Sequence, residues 1–231
     1  ERRLSSEASA APGRWYTERT EYLRGIMDAA SDPSVNEIVV QAGAQLGKTE
    51  VLLNVIGFHI ANDPAPILVV QPTGHKGMAE TFSKDRLAPM LRDTPCLKGK
   101  VKDPRSRDSG NTTLQKNFPG GRISMIGANS PAQLASRPIR IVLLDETDRF
   151  PASSGSEGDP IELARKRSAT FWNRKILMVS TPTNKGSSII EERYLQSDQR
   201  RFFARCPHCD EAQILEWRNV QWQKDRPETA G

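Results

Sequence analysis

Short apolar runs rich in valine, isoleucine and leucine recur along the chain, and longer polar or amphipathic segments separate them. These runs do not alternate between apolar and polar positions, and they lie at residues 37–41, 67–70, 122–126, 140–144 and 175–179. Apolar residues recur at helical spacing over three other segments, 17–30, 49–61 and 75–91. Unalternating strands separated by helices are typical of a mainly parallel sheet covered by helices on both faces. The pattern therefore predicts an α/β fold.

The segments at the two ends of the chain, and one in its middle, follow other patterns. Residues 1–14 are small and polar, which predicts a flexible leader. Residues 95–121 are rich in glycine, proline and charge, which predicts a long surface loop or an irregular hairpin. Near the end, the pattern predicts two short antiparallel strands, 201–205 and 212–217, around a tight turn. The expected organisation is thus a leader over 1–14, a main domain over 15–200 and a small hairpin region over 201–231.

Composition restricts the class of protein. The chain has 231 residues, a formal net charge of +5 and only three cysteines, an odd number that cannot close a full disulfide framework. Its best apolar runs break after about four residues, far short of the roughly 18 needed to cross a bilayer. We therefore expect a protein with no membrane partner that is not secreted and works in a reducing, intracellular setting. The positive charge permits contact with polyanions without requiring it.

A candidate phosphate loop joins the first predicted strand of the sheet to the helix that follows it. Its residues are Gly43, Ala44, Gln45, Leu46, Gly47, Lys48 and Thr49. In this context backbone amides can face the phosphates of a nucleotide, the lysine supplies a point charge and the threonine hydroxyl can bind Mg²⁺. Ala42 stands where the usual motif has its first glycine, so a chance Gly-Lys-Thr before a helix remains an alternative.

Polar residues follow two later apolar strands. Asp145 and Glu146 end one strand, where the first acid would hold Mg²⁺ and the second would orient or deprotonate the attacking water. Another strand ends in Ser180, Thr181, Pro182 and Thr183, which could respond to the terminal phosphate and couple hydrolysis to motion. An acidic turn or an ordinary strand cap would explain either segment singly. The phosphate loop and the acid pair together favour an ATPase.

The three motifs together resemble the ATPase domain of the large terminase subunit, the viral motor that packages DNA. Further blocks resemble its lambda-type, GpA-like branch, namely 22–28, 128–132, 136–138 and Cys206-Pro207-His208-Cys209. The resemblance covers about 15–217. It implies an ATP- and Mg²⁺-dependent translocase of double-stranded DNA, with the additional-strand sheet shared with helicases. It also implies a homo-oligomeric ring on the capsid portal, a small terminase subunit as partner and the host cytoplasm as location.

The resemblance also suggests roles for residues outside the motifs. Tyr16 precedes the phosphate loop where related motors contact the base, so it could stack on adenine, although a role as a core anchor is equally open. Many large terminases carry an arginine where this chain has Ala44. Arg137 from a neighbouring subunit is our first candidate for the missing cation and Arg140 is the second. Both could instead be ordinary surface arginines.

Large terminases normally also have a C-terminal nuclease domain, and we expect no metal-dependent DNA cleavage from these residues. Cys206 and Cys209 form half of a zinc ribbon, so zinc is unlikely without a second pair of ligands. The basic segment 97–107 could follow DNA phosphates or simply be a solvated loop.

Two alternative functions remain at this point. One is a helicase-like ATPase of superfamily two, which the chain fits poorly because it has no recognisable second motor domain. The other is a nucleotide-binding scaffold for portal docking that hydrolyses ATP negligibly. Glu146 discriminates between motor and scaffold, because a scaffold has no use for an acid beside the metal.

Overall fold

The computed structural model describes residues 1–102, 110–134, 137–216, 219, 221 and 225. The chain divides into two compact units, Glu1–Ser197 and Asp198–Gly231. No helix in the described ranges is both long enough and apolar enough to span a bilayer.

The first unit is built around a six-stranded sheet with the order β3-β8-β7-β4-β6-β5. Its strands are β3 (Glu37–Gln41), β4 (Pro66–Gln71), β5 (Gln115–Phe118), β6 (Gly121–Gly127), β7 (Ile141–Asp145) and β8 (Lys175–Ser180). All neighbours pair in parallel except β5, which runs antiparallel to β6 at the edge. The five strands expected from the apolar runs are confirmed. The sixth, β5, lies within the polar segment for which we expected a loop or an irregular hairpin, and residues 103–109 of that segment lie outside the described residues.

The helices of this unit cover the sheet, and short helical turns accompany them. They are α1 (Arg24–Ser31), α2 (Lys48–Ala61), α3 (Met78–Thr81), α4 (Ala88–Asp93), α5 (Pro131–Leu134), α6 (Pro160–Lys166) and α7 (Ile189–Leu195). Two 3₁₀ segments span Thr17–Leu23 and Thr147–Arg149, and a π-helical segment, Phe82–Leu87, joins α3 to α4.

Two predicted helices differ from the observed ones in detail. The helix expected over 17–30 is divided, because Thr20 has a non-helical backbone (φ −141°, ψ 54°) and only 24–31 is α-helical. The helix expected over 75–91 begins at Met78 and ends at Asp93. Its π-helical turn precedes Pro89, which lacks the amide needed to continue the α-helical ladder.

The core consists of two apolar clusters, one on each face of the sheet. In β7, Ile141 and Leu143 belong to the cluster that includes α2, while Val142 and Leu144 belong to the cluster that includes α6 and α7. Every residue of β7 is buried. Burial on both faces explains why the strand sequences are apolar at successive positions, and it confirms the predicted fold class.

The first fourteen residues make ordered contacts, unlike the flexible leader that we expected. β1 (Arg3–Leu4) and β2 (Gly13–Arg14) pair antiparallel. Arg2 forms an ion pair with Glu50 of α2 and stacks on Trp15 with 5.3 Å between guanidinium carbon and ring centroid. These interactions attach the segment to the main unit.

The second unit contains a short hairpin. β9 (Ala204–Arg205) pairs antiparallel with β10 (Ala212–Gln213). The Cys206 amide donates to Glu211 O at 2.9 Å, and the Asp210 amide donates to Cys206 O at 2.9 Å, which closes the turn. Both strands are shorter than expected, and Trp217, at the predicted end, lies outside the described residues.

Candidate nucleotide-binding site

Four parallel strands end at the same edge of the sheet, and each carries a polar residue there. Gln41 of β3 pairs in register with Ser180 of β8, and Asp145 of β7 pairs with Val179. Gln71 ends β4 beside them. In open α/β sheets the crevice outside the carboxyl ends of the strands is where ligands bind. The sheet therefore brings the three predicted motifs to one edge.

The phosphate loop leaves β3 at Ala42 and enters α2 at Lys48. Gln45 and Gly47 adopt left-handed backbone conformations, with φ of 59° and 80°. A side chain at Gly47 would also approach Leu23 Cδ1, since a Cβ there would lie 2.9 Å away. The exposed residues 43–46 leave the loop accessible ahead of the positive end of the helix dipole.

Lys48 connects the phosphate loop to the other motifs. Its amine donates to Gly43 O at 2.7 Å and to Thr181 Oγ1 at 2.7 Å, and it lies 3.9 Å from Glu146 Oε1. The side chain is only 6% exposed. A buried amine with these neighbours carries its positive charge into the space between the loop and the acid pair.

Asp145 is a buried carboxyl group with one unused oxygen. Gln71 Nε2 donates to Asp145 Oδ2 at 2.9 Å, whereas Oδ1 is buried and has no hydrogen-bond partner among the described residues. Burial, aided by the nearby Glu146 carboxylate and opposed by Gln71 and Lys48, raises the pKa of Asp145 to about 6. A carboxylate held this way is incomplete without a cation, and hard oxygen ligands suit Mg²⁺. The chemistry of Asp145 thus fits a magnesium ligand, and Thr49 is half-buried in the first turn of α2, directly after Lys48.

Glu146 has an unusual backbone and lies between two cations. Its φ and ψ are 54° and 51°, a left-handed conformation that is costly for glutamate. Its amide donates to Val179 O at 2.8 Å. Its carboxylate has Lys48 on one oxygen at 3.9 Å and Arg149 Nε on the other at 3.8 Å. The backbone thus directs this acid toward the lysine of the phosphate loop.

The residues after β8 contact both other motifs. Ser180 is buried, and its hydroxyl accepts from the Asp148 amide at 3.1 Å. Thr181 accepts from Lys48, and the Thr183 amide and hydroxyl both donate to Asp148 Oδ2, at 2.8 and 3.0 Å. With Pro182 between the two threonines, the segment 180–183 contacts Lys48 of the phosphate loop and Asp148 in the turn that follows the acid pair.

The sequence analysis did not identify three residues that contribute to this site, namely Gln71, Asp148 and Arg149. Gln71 is a polar residue directly after an apolar strand, the same signal that singled out Asp145. Asp148 and Arg149 follow the acid pair within one short turn.

Tyr16 is 46% exposed, and its ring lies between the guanidinium groups of Arg14 and Arg19, at 5.4 and 5.3 Å from the ring centroid. This is a surface aromatic rather than a core anchor. Stacking of Tyr16 on adenine stays a prediction, since the described contacts of its ring are with Arg14 and Arg19.

The two arginines proposed as the missing cation lie toward the other edge of the sheet. Arg140 immediately precedes β7, and its guanidinium donates to Asp63 Oδ2 at 2.5 Å. Asp145 lies five positions further along the strand, about 16 Å away at the rise of a β-strand. Arg137 is exposed and lines a cavity of about 400 Å³ beside Pro66 and Arg122, at the amino ends of β4 and β6. Neither arginine is brought to the acid pair within one chain.

The cysteine pair lies in the hairpin turn of the second unit. Hydrogen bonds from the backbone amides of His208 and Cys209, and from the Cys209 thiol, hold the pKa of the Cys206 thiol below its usual value. The described residues contain no group of three or more His, Cys, Asp or Glu side chains arranged to hold a metal. Among the described residues the pair therefore offers at most two thiolate ligands, and its occupancy by zinc stays a prediction.

The fold and these contacts define a P-loop nucleotide-binding domain, and comparison with known proteins identifies its family. The sequence matches the family described as "Phage terminase large subunit gpA, ATPase domain" over residues 9–231. The chain therefore belongs to this family, which confirms the resemblance inferred from the motifs.

Individual relatives agree with the family assignment. The chain is 30% identical to the large terminase subunit of Enterobacteria phage P21 over 98% of its own length, and 29% identical to that of Escherichia phage lambda over 97%. It spans 36% of the length of each of these relatives. The crystal structure of the HK97 bacteriophage large terminase superimposes with a TM-score of 0.60 at 14% identity, covering 81% of this chain and 38% of that one. At this identity the likeness concerns the fold.

Proposed function

We propose that this chain is an ATP-hydrolysing motor domain that drives double-stranded DNA into a viral capsid. The observation that carries the proposal is the position of the Lys48 amine, 2.7 Å from Thr181 Oγ1 and 3.9 Å from Glu146 Oε1. One cleft thus contains the lysine of the phosphate loop, the acid pair and the segment 180–183. The names of the relatives, large subunits of phage terminases, support the packaging role.

ATP binding would use the loop ahead of α2. Amides of residues 43–49 would donate to the β- and γ-phosphates, and Lys48 would exchange its carbonyl partners for phosphate oxygens. Thr49 and Asp145 would hold Mg²⁺, which supplies positive charge to the phosphate oxygens. Tyr16 would cover the base.

Hydrolysis would use Glu146 as the residue that orients the attacking water. A bond forms between the water oxygen and the γ-phosphorus while the bond from that phosphorus to the β–γ bridging oxygen breaks, leaving ADP and phosphate. Glu146 accepts the proton released by the water and returns it to solvent or to phosphate. Its left-handed backbone aims the carboxylate at the space beside Lys48.

Assembly would complete the site. Ala44 leaves the phosphate loop without an arginine, and Arg137 is exposed, so we propose that Arg137 reaches the γ-phosphate of a neighbouring copy in a ring on the portal. Such an arginine is worth roughly 10³ to 10⁵ in rate. The small terminase subunit and the capsid portal are further proposed partners, and the host cytoplasm is the proposed location.

The central test measures nucleotide binding and turnover separately. Glu146→Gln should bind ATP normally and lose turnover, whereas Lys48→Ala should weaken both. Full turnover in Glu146→Gln would remove the acid from the mechanism, and full turnover in Lys48→Ala would remove the ATPase assignment itself.

Mixing experiments test the assignment of Arg137. An Arg137→Ala chain and a Glu146→Gln chain, each inactive alone, should regain part of the activity when mixed at ring-forming concentration. Absence of complementation would argue against an arginine that acts between copies.

We also expect no DNA cleavage by this chain. Incubation of supercoiled plasmid with Mg²⁺ or Mn²⁺ tests this, and nicking above the buffer control would contradict it.

A further inference from the structure

Asp148 carries a carboxylate that is surrounded by hydrogen-bond donors. Oδ2 accepts from the amide and the hydroxyl of Thr183 at 2.8 and 3.0 Å, and Oδ1 accepts from the Ile190 amide at 2.8 Å. Burial opposes ionisation, but hydrogen bonds from Ser188, Ile190 and Thr183 outweigh it and lower the pKa of Asp148. Both oxygens of the carboxylate are therefore used by donors from another part of the chain.

These bonds join the acid pair to the segment 180–183. Asp148 lies two residues after Glu146 in the same short turn, and its own amide donates to Ser180 Oγ at 3.1 Å. The Glu146 amide donates to Val179 O at 2.8 Å. The end of β7 and the end of β8 are thus tied together on both sides of the catalytic glutamate, by backbone on one side and by the Asp148 carboxylate on the other.

The segment 180–183 is in contact with the phosphate-binding lysine at its other end. Thr181 Oγ1 accepts from Lys48 at 2.7 Å, while Thr183 is held by Asp148. A bound phosphate would compete with Thr181 for the lysine amine, because a phosphate oxygen is a charged acceptor and a hydroxyl is not. A displacement of Thr181 by a bound phosphate would then move Thr183, and Thr183 would move Asp148 in the turn that follows Glu146.

Capping of α7 does not account for this arrangement. The helix has its own cap in Ser188, whose hydroxyl accepts from the Glu191 amide at 3.2 Å. Of the four donors to Asp148, Ser188 and Ile190 belong to the start of the helix, whereas the amide and the hydroxyl of Thr183 do not, so helix capping explains only half of the arrangement.

We propose that Asp148 is a positioning residue that holds the segment 180–183 to the turn of the catalytic glutamate, so that phosphate binding at Lys48 is transmitted to Glu146. This proposal rests on the proposed function, because it assigns the regulation of the same site.

Asp148→Asn is the sharpest test, because asparagine has nearly the same shape. Its single oxygen can accept from Thr183 or from Ile190, and its NH₂ group must then face another donor. We expect ATP affinity, measured with a fluorescent analogue, to be unchanged and single-turnover hydrolysis to fall about tenfold or more, since small displacements of reacting groups have effects of this size. Asp148→Glu keeps the charge and should recover part of the rate.

Two further sets of variants separate positioning from stability. Thr183→Val removes only the hydroxyl donor and should lower turnover less than Asp148→Asn, while Thr183→Ser keeps that donor and should lower turnover less than Thr183→Val. The matched control is Asp159→Asn at the start of α6, which removes a carboxylate that caps a helix and accepts from the Ile161 amide at 2.8 Å. It should lower the melting temperature. It should not produce the pattern expected of Asp148→Asn, in which turnover falls while ATP affinity is unchanged. The proposal would be overturned if the control lost turnover at unchanged ATP affinity to the same extent, or if Asp148→Asn did not lose turnover in this way.

Hydrogen exchange distinguishes failure of this inference from failure of the proposed function. In the natural chain, an ATP analogue with Mg²⁺ should slow exchange at 146–150 and 181–190 together, and in Asp148→Asn the two regions should respond separately. Coupled protection in a chain that hydrolyses no ATP would reject the motor and retain the positioning role. Unchanged coupling in Asp148→Asn would reject the positioning role whatever the turnover.

Discussion

The buried Asp145 carboxyl group makes a quantitative prediction about stability and pH. Its pKa is about 6 in the folded protein, against 3.8 as the ordinary value, chiefly because of burial. Between these two pH values the folded state binds more protons than the unfolded state, so stability falls as pH rises. A pKa raised by roughly two corresponds to about 3 kcal/mol, and above pH 6 the folded state is destabilised by this whole amount. The side chain is only 5% exposed, so solvent screening does not reduce this figure appreciably.

Asp145→Asn isolates this contribution, because the amide does not titrate. Its NH₂ group occupies the position of the unpartnered oxygen Oδ1, and the resulting change in the free energy of unfolding does not depend on pH. Urea unfolding of both chains from pH 4 to pH 7 in chelator should therefore show the natural chain losing roughly 2 kcal/mol relative to the variant as pH rises, because part of the penalty is already present at pH 4. Contributions from titrating groups that do not interact with Asp145 cancel in the difference.

The result that would refute this reasoning is a difference that stays constant over the pH range, since a constant difference means that the pKa of Asp145 is not raised. A difference of the opposite sign would mean that the ionised form is stabilised in the fold. Saturating Mg²⁺ with ADP should reduce the pH dependence in the natural chain only, because a nearby cation favours the carboxylate.

Three other perturbations test separate parts of the structure. Arg149→Ala should lower turnover by removing the cation 3.8 Å from Glu146, with Arg149→Lys intermediate, and equal single-turnover rates in all three chains would exclude a role in the reaction. Gly47→Ala should destabilise the fold by about 1–3 kcal/mol in denaturant titrations because of its left-handed φ and the proximity of Leu23; an unchanged midpoint would show that the loop adapts. Deletion of residues 1–14 should lower the melting temperature because an ordered segment is lost, whereas a truly flexible leader would leave it unchanged.

Much of the sheet could be predicted because its strands are buried on both faces. Burial of this kind makes successive residues apolar, as in β7, and that pattern is visible in sequence. The edge strand β5 has the sequence Gln-Lys-Asn-Phe and pairs on one side only, so it looks like the loop residues around it. An edge strand of this kind is specified by its neighbour rather than by its own composition.

The motifs of the site were predictable and their partners were not. The order β8-β7-β4 brings Gln71 beside Asp145 and Asp148 beside Thr183, and a strand order is not contained in any local pattern. The placement of Arg140 is different, since the direction of a strand is known from sequence. A residue that precedes the acid strand must lie at the opposite edge from the acids that follow it.

The distribution of charge around Glu146 explains why the missing arginine matters. Lys48 and Arg149 lie on its two oxygens, so both nearby cations already face a carboxylate. A triphosphate with its divalent cation still brings excess negative charge into the cleft, and that charge spreads over the γ-phosphate oxygens during transfer. Among the described residues, Lys48 and Arg149 are the cations that contact Glu146, and the same two side chains would have to stabilise the phosphate as well as orient Glu146. On the proposed assignment of Arg137, a third cation from a neighbouring copy would relieve this competition, and hydrolysis would then reach its full rate only where copies are in contact.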